Sequence, residues 1–230
     1  IPRLHEQNLA VNVMQSNNDF SVGGTLSVNA HGWQHGSGPV SSTVQSFRLM
    51  LANGSIKNCS RTENSELFKM ALGGYGLFGI ILDVWIKVID NEMYQSKYKI
   101  VKLEDLVKTW NDFAKVDKVK MLYARLSISP NSLFSEAMVT GYYKIPWNKP
   151  FPKLIRIKNR NLSRVVFRSS AGSNFGKRLR WQLEKAFGGE AHGVYARSSL
   201  QNEPASVFAN TNKDYTDILH EYFVPTKNFH

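Results

Sequence analysis

The chain has a single cysteine, Cys59, so it can form no internal disulfide and no thiolate cluster for a metal. That usage suits a reduced compartment, and the expected location is cytoplasmic. No apolar run reaches the ~18–20 residues that a membrane-spanning helix needs. The first residues, Ile1-Pro2-Arg3-Leu4-His5-Glu6, lack an initiator methionine and any signal-peptide pattern, and they predict the interior of a longer protein. Two nucleotide-binding signatures are missing as well. No Gly-x-Gly-x-x-Gly stands between a strand and a helix, and no Gly-Lys-Ser/Thr follows a glycine loop, so the Rossmann and P-loop readings fail. Acids are absent over one long stretch. Between Lys149 and Arg180 there are ten Lys and Arg residues and no Asp or Glu, which supplies most of the net charge of +11. The charge is therefore a local feature rather than a property of the whole surface.

What is present reads as a globular protein of 230 residues with 42% hydrophobic and 20% charged residues, enough for one or two cores. Residues 22–38 are rich in glycine. Thr43 to Leu51 alternates as a strand, Asn53-Gly54 predicts a hairpin turn of type I′, and Ser55 to Ser60 is the returning strand. Glu63 to Leu72 carries Leu67, Phe68, Ala71 and Leu72 at helical spacing. A second glycine stretch, 73–79, leads into the apolar run Ile80 to Ile89, read as a buried strand. Beyond Asp90, Tyr94 to Val101 is a strand, and Leu103, Leu106, Val107, Trp110, Phe113 and Ala114 mark an amphipathic helix. Lys118 to Ser129 and Leu133 to Tyr143 alternate as strands. Three prolines between Ile145 and Pro152 require a loop. Gly176 to Phe187 is a basic helix, and Ile218 to Val224 a last strand. Without βαβ alternation the expected class is α+β with antiparallel sheets, split at about residue 90.

Glycine lets a backbone approach a ligand closely and turn its N–H groups toward an anion. Tight turns use it equally, and spacing alone leaves both readings open. Three motifs in one order carry a resemblance: Val22-Gly23-Gly24-Thr25-Leu26-Ser27, then Glu63-Asn64-Ser65-Glu66-Leu67-Phe68, then Leu72-Gly73-Gly74-Tyr75-Gly76-Leu77-Phe78-Gly79-Ile80-Ile81. Together they resemble the second half of the PCMH-type FAD-binding domain of vanillyl-alcohol-oxidase-like flavoproteins, cytokinin dehydrogenases among them. Ala30-His31-Gly32 is closer to decaprenylphosphoryl-ribose oxidases. The resemblance implies FAD as cofactor, with Gly23, Gly24, Thr25, Ser27 and Asn29 near the diphosphate and ribityl chain. It places His31 and Gly32 near the flavin ring and Gly79, Ile80 and Ile81 near the adenine. It also implies that the first FAD subdomain precedes Ile1, so that this chain alone is expected to be inactive. Residues 91–230 would then be an antiparallel-sheet substrate (cap) domain.

Two residues are expected at the chemistry. In the segment Ile218 to Val224, Glu221 matches the position where the decaprenylphosphoryl-ribose oxidases present a glutamine to the flavin. A carboxylate there orients or deprotonates a substrate hydroxyl as hydride leaves carbon, with His31 beside the ring. His31 and His35 lie four apart in a loop without a third ligand, so no metal site is expected. For the basic run, a solvated face stands beside an interfacial patch, because Trp147, Phe151, Leu154, Ile155 and Ile157 interleave with the cations. Nucleic acid is disfavoured, since no recognised module accompanies the charge. Two functions follow. One is an FAD-dependent oxidoreductase acting on an alcohol or a small or lipid-linked sugar-like substrate. The other is a non-catalytic basic binding module on a flavoprotein scaffold.

Overall fold

The computed structural model describes residues 1–154, 160–187, 193–205, 208–210, 212, 214, 218 and 221–225. Helix α1 (Pro2–Glu6) starts on a proline, whose missing N–H costs nothing in a first turn. Strand β1 (Leu9–Val11) pairs antiparallel with residues 88–90. The first glycine stretch opens not as a loop but as a short helix, α2 (Val22–Ser27). Ser21 Oγ accepts from Gly24 N at 3.0 Å, which caps the first turn, and the buried Leu26 anchors the other side.

The hairpin forms where the alternation places it, as β2 (Val44–Met50) and β3 (Ile56–Ser60). Its turn differs from expectation. A type I′ turn needs positive φ at both central residues, and here Gly54 has φ +78° while Asn53 does not join it. Leu51 O accepts from Gly54 N, and Leu51 N donates to Ser55 O, both at 2.9 Å. The loop is thus Ala52-Asn53-Gly54, with glycine in the left-handed position. Helix α3 (Ser65–Ala71) lays Phe68 on Phe47, ring centroids 5.3 Å apart. Leu26, Val44, Leu49, Cys59 and Leu72 complete this core.

The apolar run after Gly79 is not one buried strand. It forms β4 (Ile80–Ile86) and β5 (Val88–Asp90), broken at Lys87, whose N–H turns to Thr43 O at 2.8 Å. In the order β3-β2-β4, Ile81, Val84 and Ile86 face the core, while Ile80, Leu82 and Trp85 are exposed. Among the described residues this sheet has one covered face, so alternation governs burial despite the continuous apolar sequence.

The second sheet, ordered β7-β8-β6-β9, is built from β6 (Met93–Lys102), β7 (Val119–Leu126), β8 (Glu136–Ile145) and β9 (Val194–Ala196). Helix α4 (Leu106–Ala114) covers one face through Leu106, Trp110 and Phe113 against Val119, Leu122, Ala137 and Val139. The proline segment leaves β8 as a loop. Helices α5 (Arg160–Ala171) and α6 (Asn174–Phe187) follow, then α7 (Arg197–Leu200) after β9. No helix is predicted from sequence for α5. The expected strand 218–224 does not form among the described residues: 218 and 221–225 join no sheet, and 219 and 220 lie outside the description. The architecture is α+β, and every sheet among the described residues is antiparallel.

Hydrogen bonds tie the early chain to the second sheet and to α7. Residues 33–35 lie along the edge of β7, where Leu122 N donates to Trp33 O at 2.8 Å and His35 N to Lys120 O at 3.0 Å. Arg197, 3% exposed, donates to the carbonyls of Val11 and Asn12 and to Tyr94 Oη.

Candidate functional site

The two glycine stretches meet directly. Leu26 O accepts from Gly73 N and Ser27 O from Tyr75 N, both at 2.9 Å, so the end of α2 is clamped to the segment that precedes β4. The glycines of these stretches then separate by what each does. A Cβ on Gly32 would stand 2.2 Å from Met14 O, one on Gly74 2.1 Å from Met70 O, and one on Gly79 2.4 Å from Met50 O. These three are required by the chain's own close packing. Gly79 also has φ +140°, a backbone that side chains resist. Gly23 is different. It is exposed, and a Cβ there would meet nothing within 4 Å. Among the described residues nothing calls for glycine at that point.

The remaining expected cofactor residues are distributed around this clamp. Thr25 Oγ1 donates to Gln15 Oε1 at 3.2 Å, and Asn29, at φ +48°, accepts from Ser41 N at 3.1 Å through Oδ1. Both steady the local backbone. Ile81 packs against the first core, whereas Ile80 is 61% exposed. Gly23, Ile80 and His31 therefore keep outward surface, and Asn29, Gly32, Gly79 and Ile81 hold the fold together.

The structure brings His31 to Glu221. The imidazole Nε2 lies 3.2 Å from Glu221 Oε2, and the ring meets Phe223 edge-on at 5.6 Å between centroids. Glu221 and Phe223 thus turn to the same neighbour, as alternate residues of an extended segment do, though no sheet holds that segment. Both partners of the pair are about half exposed. His35 goes elsewhere, its Nε2 3.3 Å from Ala114 O.

One polar cluster escapes any reading of the sequence. Tyr94 Oη donates to Glu92 Oε2 at 2.5 Å, Lys144 Nζ donates to Oε1 at 2.6 Å, and Arg197 Nη1 lies 3.8 Å from Oε2. Burial pushes the Glu92 carboxyl up, but the hydrogen bonds from Lys144 and Tyr94 and the charges of Lys144 and Arg197 outweigh it, and the group sits below its ordinary range. The Tyr94 phenol is pushed up, chiefly by burial. Its members lie up to 105 residues apart in sequence (Glu92 to Arg197), and no spacing signal joins them.

Part of the sequence is similar to known proteins. Residues 2–60 match the family model described as FAD binding domain. Over 108 residues the chain is 36% identical to the D-arabinono-1,4-lactone oxidase of Debaryomyces hansenii, covering 47% of this chain and 19% of that protein. It is 37% identical over 81 residues to an uncharacterized oxidoreductase, ORF5 in the fasciation locus, of Rhodococcoides fascians, covering 35% and 18%. It is 30% identical over 88 residues to the L-gulonolactone oxidase of Bos taurus, covering 38% and 20%. The matched part spans about a fifth of each relative. Residues 2–60 thus resemble an FAD-binding domain, and a separate antiparallel sheet follows in the chain. Its relatives include sugar-lactone oxidases.

Proposed function

We propose that this chain supplies part of the flavin site and most of the substrate domain of an FAD-dependent oxidoreductase acting on an alcohol or sugar-like substrate, divided at about residue 90. The observation that carries this reading is the pairing of His31, which lies within the stretch similar to an FAD-binding domain, with Glu221. The open face at Gly23 and the exposed Ile80 fit the approach of an extended dinucleotide, with Gly24, Thr25 and Ser27 beside it. Bound there, FAD supplies the acceptor for a hydride from the substrate carbon. Glu221 takes the proton of the hydroxyl on that carbon, and His31 orients the carboxylate through Nε2. Phe223 meets the imidazole edge-on. The names of the relatives favour a sugar lactone or a related polyol as substrate.

The test uses the protein that carries this chain. It should release FAD on acid denaturation, and D-arabinono-1,4-lactone or a related sugar lactone should bleach the bound flavin under anaerobic conditions. Protein that folds and holds no flavin would refute the reading and return the chain to a non-catalytic scaffold. The proposal extends to the basic run 147–180 as a point of peripheral contact with an anionic membrane. No helix among the described residues is long and apolar enough to cross one.

A further inference from the structure

Between the buried Met14 and the buried Leu26 no side chain is buried: residues 15–18, 24 and 25 are half-buried and 19–23 exposed. Apolar packing therefore does not fix this segment, which leads into α2. A stretch with few buried apolar contacts opens locally at little cost unless hydrogen bonds hold it. Such bonds come from the residues just after α7. Asn17 forms a parallel bridge with Glu203, whose carbonyl accepts from Asn18 N at 2.8 Å and from Asn17 Nδ2 at 3.4 Å. Asn18 Nδ2 donates to Asn202 Oδ1 at 2.7 Å, and Ala205 N donates to Asp19 Oδ1 at 2.8 Å. On its other side the segment reaches α2. Gln15 Oε1 accepts from Thr25 Oγ1 at 3.2 Å, and Ser21 Oγ accepts from Gly24 N. A polar seam thus runs from residues 202–205 through 15–19 to the helix that carries Gly23, Gly24 and Thr25.

We propose that residues 202–205 are a clasp that holds the 15–25 segment in place for the flavin, with Asn18, Asp19 and Asn202 as positioning residues. The inference rests on the oxidoreductase reading for the identity of the ligand. A binding segment already held in its working arrangement loses less freedom when the ligand arrives, and affinity rises accordingly. Coupling of this kind is reciprocal, so bound flavin tightens the clasp in turn. Asp19 acts through Ala205 N and not by touching the cofactor, because a carboxylate beside a diphosphate only repels it. The clasp also lies between α7 and Glu221 in the chain. It joins the part of the protein that carries the proposed base to the part proposed to hold the flavin.

The experiment uses the full-length protein that carries this chain, stripped of flavin and titrated with FAD. Asp19→Ala and Asp19→Asn remove the same charge, and only asparagine keeps an oxygen for Ala205 N. Asp19 is exposed, so both variants should fold. FAD should bind about five- to tenfold more weakly in Asp19→Ala and within about twofold of the parent in Asp19→Asn. Loss of charge alone would tighten both alike. Asn18→Ala and Asn202→Ala should not add, because either one breaks the same bond. Hydrogen exchange of the flavin-free protein reads the clasp without the cofactor. The amides of Asn18, Gly24 and Thr25, bonded to Glu203 O, Ser21 Oγ and Ser21 O, should exchange about five- to tenfold faster in Asp19→Ala. They should keep the parental rate in Asp19→Asn. Equal FAD affinity in the two Asp19 variants overturns the positioning role and leaves the oxidoreductase reading standing. Unchanged exchange in Asp19→Ala overturns the clasp itself. If the protein holds no flavin, the oxidoreductase reading falls, and the exchange comparison alone decides the clasp.

Discussion

His31 and Glu221 lie 190 residues apart in sequence and 3.2 Å apart in space. Both are about half exposed, and an ion pair so placed contributes about 0–1 kcal/mol to stability. Their role is therefore separable from folding. Glu221→Gln should leave the thermal midpoint within about 2 °C and lower kcat by about 10²–10⁴, the usual range for loss of a general base. A variant that loses activity only in step with its fold, followed by circular dichroism, would deny Glu221 that role.

Gly23 and Gly79 should respond in opposite ways. Gly23→Leu adds a side chain into open space, so stability should change by less than about 0.5 kcal/mol, as at other surface sites, while bound flavin falls at least tenfold. Gly79→Ala forces a Cβ against Met50 O at φ +140° and should cost about 1–3 kcal/mol of backbone strain. Urea unfolding beside flavin content separates the two. Full flavin occupancy in Gly23→Leu would remove residue 23 from the cofactor site.

Acid should loosen the junction at Glu92. Its carboxyl is lowered in the folded state, so it contributes stability above the unfolded value of about 4.3 and loses it as pH falls through the folded value. The thermal midpoint should hold from about pH 7 to 5 and drop below about pH 4.3. In Glu92→Gln that acid limb should be shallower. Arg197→Ala removes the side-chain donor to the Asn12 carbonyl and to Tyr94 Oη, while Glu92 keeps Lys144 and Tyr94 and Val11 O keeps Gln201, and should cost about 1–3 kcal/mol at neutral pH. Calorimetry of both variants at pH 7 and 4 checks the sign.

The basic run divides in two once folded. Arg180 pairs with Glu184, and Arg168 donates to Phe208 O. Lys149, Lys153, Lys177 and Arg178 make no side-chain ion pair or hydrogen bond among the described residues. Ile155, Arg156, Ile157 and Lys158 lie outside them. On α6, Phe175, Leu179 and Leu183 stand exposed at intervals of four, next to Arg178. Sedimentation with anionic vesicles should fall about fivefold for each of Lys153, Lys177 and Arg178 replaced by Gln, and should weaken with salt. Equal binding to neutral vesicles, or none to either, leaves a solvated face; binding of RNA unaffected by Leu179→Ser would point to nucleic acid instead.

Local pattern decided a good deal of this molecule. The alternation from Thr43 to Leu51, the helical spacing at Leu67, Phe68 and Ala71, and the amphipathic run to Ala114 each name an element correctly, because side-chain period and backbone period coincide within one segment. Glycine content alone cannot say which glycines serve packing and which face outward. That sorting depends on Met14, Met50 and Met70 carbonyls brought close by the fold. Residues 80–89 misled because apolar sequence reports affinity for a core, while burial depends on whether a second layer covers the sheet. The turn at Asn53-Gly54 is placed by its residues, but its type follows from the register in which β2 and β3 lock. Glu221 reached the site by resemblance, yet its contact with His31 exists only in three dimensions. The Arg197 cluster is likewise a fact of assembly: hydrogen bonds act over about 3 Å, and Arg197 and Val11, which meet there, lie 186 positions apart along the chain.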